Sequence, residues 1–309
     1  MMRLFYSSRD FARPDVTVAA ALGNFDGVHR GHQTILREMV AQTKARGQSA
    51  GIYTFEPHPA KVLAPASAPK LIQTLEQKLK AFEPLGIDWV VLEPFDASFA
   101  KMMPETFFEE ILCRRMQAKA LWVGYDFTFG VRRSGSVVHL KGLCKEQNIA
   151  LHITEPQFTQ DVLVSSSRIR ELVLQGEAAQ ARMLLGRPFA LIGTVVKGAG
   201  IGAKLGIHTA NLAAENELLP KPGIYITTTR LEEKDYPSVT NVGMNPTFPG
   251  KGFSIETHIL NFDQTLTGKK IEILFLDWLR EEKSFSSTEA LVAAIQKDID
   301  AAKDYHGCN

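Results

Sequence analysis

The stretch "GNFDGVHRGH", residues 23–32, holds two histidines, His29 and His32, one aspartate, Asp26, and three glycines, Gly23, Gly27 and Gly31. Phe25 sits among them, and the whole stretch directly follows the apolar run "VTVAAAL" (16–22). Glycines let a backbone come close to a ligand. A helix that begins near the last of these residues favours phosphate oxygens at its N-terminus. Imidazoles donate hydrogen bonds to a phosphoryl group as charge develops on it. Phosphoryl or nucleotidyl transfer is the chemistry such parts suit. The stretch is neither a Walker loop nor a GxGxxG fingerprint. Two alternatives stay open: loop histidines satisfied by local hydrogen bonds, and a metal pair, for which no third ligand stands at suitable spacing.

Other segments carry reactive residue types. "TFEPHP" (54–59), with Pro57 and His58, closes a strand pattern. "VGYDFTFGVRRSG" (123–135), with Asp126 and Phe127, closes another, and "SSSRIRELV" (165–173) opens a helix with Ser165, Ser166 and Arg168. Later come "KGAGIGAKLGIHTANL" (197–212), "NVGMNPTF" (241–248), "ETHIL" (256–260) and "FLDWLREEKSF" (275–285). "GAGIGA" fits a loose GxGxxA pattern, but no helical period follows it, so a dinucleotide-binding reading is poor. Taken singly, these segments have plain readings: a proline turn, a glycine-rich loop, a serine cap beside a solvated arginine, a strand glutamate in water.

The elements that must position these residues fall into two patterns. In the first half, apolar runs of strand length ("VTVAAAL", "AGIYTF", "DWVVLEPF", "ALWVGY", "ALHIT") alternate with amphipathic helices such as "HQTILREMVAQTKARG" and "TLEQKLKAFEPLG". That alternation predicts a parallel sheet covered on both faces. Ligands of such sheets bind outside the carboxyl ends of the strands, which is where the first motif lies. Two short helices follow in "SSSRIRELVLQGEAAQARMLLG". Beyond about Gly186 the strands "FALIGTVVKG", "GIYITTTRL", "SVTNVGM", "FSIETHIL" and "KKIEILFLDWL" have no helices between them, which predicts an antiparallel barrel or sandwich. "STEALVAAIQKDIDAAKDY" has helical spacing and a serine or threonine cap at 287 or 288. The expected domains are residues 1–186 and 187–309.

Bulk properties narrow the function classes. With 309 residues the chain is long enough for about two domains. A net charge of +1 argues against a broad nucleic-acid or membrane footprint. Three cysteines without CxxC suggest neither a disulfide framework nor a structural zinc site. The N-terminus lacks a secretory h-region, and no apolar run nears the roughly 20 residues of a membrane helix. A cytoplasmic protein without nucleic-acid or membrane partners is expected.

The "HRGH" of the first motif is similar to the HxGH motif of the nucleotidyltransferase superfamily. In their order and spacing, the segments of residues 15–185 resemble the adenylyltransferase module of the prokaryotic bifunctional riboflavin kinase/FAD synthetase family. Residues 187–305 resemble its riboflavin kinase module. The resemblance implies a Rossmann-like nucleotidyltransferase sheet followed by a small antiparallel β-barrel with a C-terminal helix. It implies that riboflavin plus ATP gives FMN, and that FMN plus ATP gives FAD and pyrophosphate. His29, His32 and Arg168 would be catalytic in adenylyl transfer, with Gly23, Phe25, Asp26, Gly31, Ser165 and Ser166 around the ATP phosphates. Asp126, Phe127, Pro57, His58 and Arg280 would lie near flavin. In the kinase, Glu256 would be the base, Thr209 and Asn211 would ligate Mg2+, and Gly198 and Lys204 would contact phosphate. A carboxylate both orients a hydroxyl and takes its proton, and oxygen ligands suit a hard cation.

The chain departs from the family pattern in several places. The usual threonine of the SSTxIR motif is Ser167, which keeps a hydroxyl. The proline expected before Thr209 is His208, the aromatic before that is Ile207, and the expected arginine is Ala203, followed by Lys204. These changes leave two further readings: an FAD synthetase with a weakened kinase module, and a flavin-binding regulator without turnover.

Overall fold

In this computed structural model, residues 2–11, 16–198, 207–243 and 254–308 are described. Ala203, Lys204 and the "MNPTF" part of "NVGMNPTF" lie outside them. The chain divides into two compact units. One comprises residues 1–70 and 75–164, the other residues 71–74 and 165–309.

The first unit is built on a six-stranded, all-parallel sheet. Its strands are β1 (Arg3–Phe5), β2 (Val18–Leu22), β3 (Ser49–Glu56), β4 (Trp89–Pro94), β5 (Ala118–Gly124) and β8 (Ala150–Thr154). Two small hairpins complete the strands, one of β6 (Thr128–Phe129) and β7 (Gly135–Ser136), the other of β9 (Phe158–Thr159) and β10 (Val162–Leu163). The sheet order β1-β4-β3-β2-β5-β8 makes β2 the turning point. The chain runs from β2 outward through β3 and β4, then returns to lay β5 on the other side of β2. A parallel sheet opens a crevice at such a reversal. Helices α1 (Arg30–Ala45), α2 (Pro59–Leu63), α3 (Leu75–Phe82), α4 (Pro104–Thr106) and α5 (Val137–Glu146) serve as connections, α4 running on into a π-helical segment, Phe107–Arg115.

Every residue of β2 is buried, as the unbroken apolar run predicts for a central parallel strand. Two apolar clusters fill the faces of the sheet. One contains Trp89, Phe107 and Leu121, the other Leu36, Met39 and Trp122. The edge strand β1 and both hairpins are absent from the sequence-based reading, because two- or three-residue strands carry too little pattern to be seen.

The second unit opens with α6 (Ser166–Gln175) and α7 (Ala178–Leu185), each ending on a left-handed glycine, Gly176 and Gly186. Six antiparallel strands then close a barrel in the order β11-β12-β15-β14-β13-β16. They are β11 (Phe189–Val196), β12 (Ala210–Ala214), β13 (Gly223–Leu231), β14 (Lys234–Gly243), β15 (Ser254–Ile259) and β16 (Lys270–Arg280). β12 was not foreseen as a strand. The C-terminal helix, Thr288–His306, is capped by Ser287, whose side chain accepts from the Ala290 amide at 3.2 Å. Ile299 and Ala302 of this helix pack with Ile224, Ile226 and Val239 on the outside of the barrel.

The opposite face of those strands turns inward and is polar. Thr227, Thr229, Ser238, Thr240 and Thr257 are fully buried. Their hydroxyls bond one another at 2.8 to 3.3 Å, linking β13, β14 and β15. Hydroxyls that donate and accept within one network avoid the cost of burying unpaired polar groups.

Candidate active sites

In the first unit, the motif residues gather at the carboxyl end of β2. The chain leaves β2 at Gly23, whose amide donates to the Tyr53 carbonyl of β3 at 3.3 Å. It then makes a tight turn in which Phe25 (φ 52°), Gly27 (φ 85°) and Val28 (φ 37°) are left-handed. A β-branched residue there is an outlier, and strain of this kind survives only where the surroundings over-determine it. His29 is the N-cap of α1 and its Nδ1 accepts from the His32 amide at 3.3 Å. The two imidazoles stack with centroids 3.6 Å apart and planes 16° apart. A Cβ at Gly31 would stand 3.2 Å from the His29 ring, so a side chain there would press on the stacked pair. The Phe25 ring, itself buried, meets His32 edge-on at 5.2 Å and Phe82 of α3 at 6.0 Å. The alternative of locally satisfied loop histidines is therefore partly true: His29 does cap its helix. That bond uses a nitrogen on one ring and fixes both rings at a helix N-terminus, where anions are favoured.

The "GYDF" turn follows β5, the strand beside β2, so the fold brings it to the same end of the sheet. Ala21 of β2 pairs with Trp122 of β5, and each strand ends two residues later at most. The Phe127 amide donates to the Gly124 carbonyl at 3.1 Å, leaving Asp126 exposed. Phe127 stacks on Phe129 at 5.6 Å. Pro57 and His58 follow β3 on the other side of β2, and His58 caps α2 by accepting from the Ala60 amide at 3.2 Å. Among the described residues, no group of three or more His, Cys, Asp or Glu side chains could hold a metal ion.

Sequence reasoning missed Lys78 of α3. It is buried, with 8% of its surface exposed, and its ammonium donates to the Asn24 carbonyl at 3.4 Å. Burial pulls its pKa down, while Glu56 and Asp26 push it back up. The available signal was helical spacing, since Lys78 and the buried Phe82 are four residues apart on one face.

Ser165, Ser166 and Arg168 open the second unit. Ser165 caps α6, accepting from the Arg168 amide at 3.2 Å, and the Arg168 guanidinium pairs with Glu171 at 3.1 Å.

The barrel site is made by strand register rather than by a turn. Glu256 of β15 lies opposite Asn211 of β12 on one side and Asn241 of β14 on the other. Thr209, just before β12, donates its hydroxyl to Glu256 at 3.5 Å. Asn241 donates its amide to Glu282 at 3.2 Å. Burial pushes the Glu256 carboxyl above the ordinary glutamate range; the Thr209 hydroxyl pulls it down, and Glu282 adds a further upward push. Gly198 lies against the Asn211 amide so closely that any side chain there would collide with it. His258 Nδ1 lies 2.8 Å from the His208 carbonyl, tying the segment before Thr209 to β15. Arg280 is engaged elsewhere. Its guanidinium holds Asp298 of the C-terminal helix through two bonds of 2.9 and 2.6 Å.

The FAD synthetase family model matches residues 12–168, and the riboflavin kinase family model matches residues 185–306. A bifunctional riboflavin kinase/FMN adenylyltransferase from Escherichia coli K12 is 32% identical over 295 residues, covering 95% of this chain and 94% of that protein. This chain belongs to that family. A member from Listeria monocytogenes is 30% identical over 287 residues, covering 92% of this chain and 91% of its own length. A crystal structure from Streptococcus pneumoniae, described as a macrolide-efflux protein, superposes with a TM-score of 0.89 at 27% identity, covering 98% of both chains. In the present family member, no helix among the described residues is long and apolar enough to cross a membrane.

Proposed function

We propose that this chain phosphorylates riboflavin to FMN and adenylylates FMN to FAD, each with ATP, in two separate sites. The observation that carries this reading is that each family-model span holds its own constellation. The stacked His29–His32 pair lies at the turning point of the parallel sheet. The Thr209–Glu256 pair lies on the barrel.

In adenylyl transfer, an FMN phosphate oxygen attacks the α-phosphorus of ATP and pyrophosphate leaves. No covalent intermediate with the protein is needed, so the protein's task is alignment and charge stabilisation. His29 and His32 donate to phosphate oxygens whose charge rises in the transition state. Gly23, Asp26, Gly31 and the backbone at Phe25 shape the nucleotide's approach. The family resemblance assigns the leaving pyrophosphate to Ser165, Ser166 and Arg168, which fall within the span of the FAD synthetase model. Pro57, His58, Asp126 and Phe127 line the flavin side.

In the kinase, Glu256 orients the ribityl 5′-hydroxyl and takes its proton as the oxygen attacks the γ-phosphorus and ADP leaves. A carboxylate whose pKa burial has raised is a stronger base than an ordinary glutamate. The side-chain oxygens of Thr209 and Asn211, beside the Glu256 carboxylate, are hard donors of the kind that Mg2+ takes. Thr209 and Asn211 would hold the ion, which would neutralise charge on the ATP phosphates. Gly198 and Lys204 would contact those phosphates. We place the functional boundary near Gly186, at the junction of the two modules.

A chromatographic time course with riboflavin, ATP and magnesium tests the reading. FMN should appear first and FAD after it. FAD formed only from supplied FMN would reduce the function to the synthetase, and binding without product would remove both activities.

A further inference from the structure

Buried lysines are rare because an ammonium taken out of water is costly unless it is paired. Lys78 is such a lysine, and no residue role proposed above uses it. Three features define its surroundings. Its ammonium donates to the carbonyl of Asn24, the residue that begins the strained turn. Two carboxylates act on it through space, Glu56 at the end of β3 and Asp26 within the turn, each pushing its pKa up against the effect of burial, and Asp26 is itself buried. One helical turn further along α3, Phe82 packs on Phe25, which packs on His32, which stacks on His29.

α3 therefore reaches the turn twice, once through an apolar contact and once through a charge. The second contact has an electrostatic consequence. Both carboxylates act on the Lys78 ammonium, so removing its charge takes that cation away from them beside the site proposed to receive the phosphates of ATP and FMN. Where burial excludes water, as around Lys78, such interactions are several-fold stronger than in water.

We propose that Lys78 is a positioning residue of the adenylyl-transfer site, fixing the Asn24–Asp26 turn and cancelling carboxylate charge next to the incoming phosphates. The inference rests on adenylyl transfer occurring in the first unit. The test uses the full chain and measures pyrophosphate release from FMN at varied ATP, with riboflavin phosphorylation and thermal melting read in the same preparations.

Lys78→Met keeps an unbranched side chain, one atom shorter, and removes its charge. It should raise the KM for ATP and lower kcat/KM for FAD formation about 10- to 100-fold, with riboflavin phosphorylation unchanged. Lys78→Arg keeps the charge and should retain most of the activity. Because Lys78→Met removes a cation that acts on both carboxylates and could unfold the unit, Lys78→Met is also combined with Glu56→Gln. The double variant should regain a clear part of the lost kcat/KM and of any lost melting temperature. A wild-type kcat/KM in Lys78→Met, or a double variant no better than the single one, overturns the role. Absence of FAD from wild-type protein overturns the adenylyl-transfer reading itself, and is distinguished by needing no variant.

Discussion

The two sites are assembled by opposite means. At the end of β2 the chemistry is contiguous: the turn, the cap and both histidines lie within residues 23–32, and their geometry follows from one strand-to-helix turn. In the barrel it is dispersed: Asn211, Asn241 and Glu256 come from three strands, with Thr209 just before the first, and they meet only because β12, β15 and β14 pair in one register. A contiguous site stores its precision in backbone strain, here the left-handed Phe25 and Val28. A dispersed site stores it in register, which the hydroxyl network inside the barrel helps to pin. The first should tolerate changes elsewhere in its unit if the turn survives, and the second should feel any slip of a strand.

The contrast breaks most directly at the histidines. His29→Ala or His32→Ala should lower FAD formation on the order of 100- to 1000-fold while FMN formation continues, as read by product chromatography. Equal loss of both products would mean that the two sites are not independent. Glu256→Gln should do the reverse, lowering riboflavin phosphorylation about 100-fold or more and sparing FAD formation from supplied FMN. It should also not lower the melting temperature at pH 7. A carboxyl whose folded pKa is raised favours folding only while protonated, so its ionised form works against the barrel once the pH exceeds that raised pKa.

A smaller effect sharpens the claim about register. Thr227→Val takes one partner each from the hydroxyls of Ser238 and Thr240, which bond Thr227 at 2.8 Å and keep their bonds to Thr229 and Thr257. The cost should be about 1 kcal/mol in urea unfolding of the barrel, with adenylyl transfer unaffected. An unchanged midpoint would show that the buried network does not hold the strands. The smallest effect concerns pH. The acid limb of kinase activity should lie above the ordinary glutamate range, because the base must be ionised and burial raises its pKa. Glu282→Gln removes an upward push and should move the limb to lower pH; Thr209→Val removes the opposing hydrogen bond and should move it to higher pH. A limb indifferent to both changes would exclude Glu256 as the titrating base.

What the sequence by itself determined is local or periodic. The strands β2, β3, β4, β5 and β8 follow from apolar runs, the C-terminal helix from its spacing and its Ser287 cap, and the first motif from residues that are neighbours in the chain. The antiparallel character of the second half was visible too, since no helices separate its strands. Tertiary structure alone decided the rest. Of two lysines two residues apart, Lys80 is exposed and Lys78 is buried against a turn more than fifty positions earlier. Alternation in "GIYITTTRL" marks two faces, and a polar face ordinarily goes to water. Here Ile224 and Ile226 face outward because the C-terminal helix covers them, and Thr227 and Thr229 face inward because β14 and β15 supply hydroxyl partners. The row Asn211–Glu256–Asn241 exists only through strand pairing. The physical reason is common to all three. Propensity and period act within about one element, whereas burial, charge pairing and register depend on segments that the chain brings together only after it has folded.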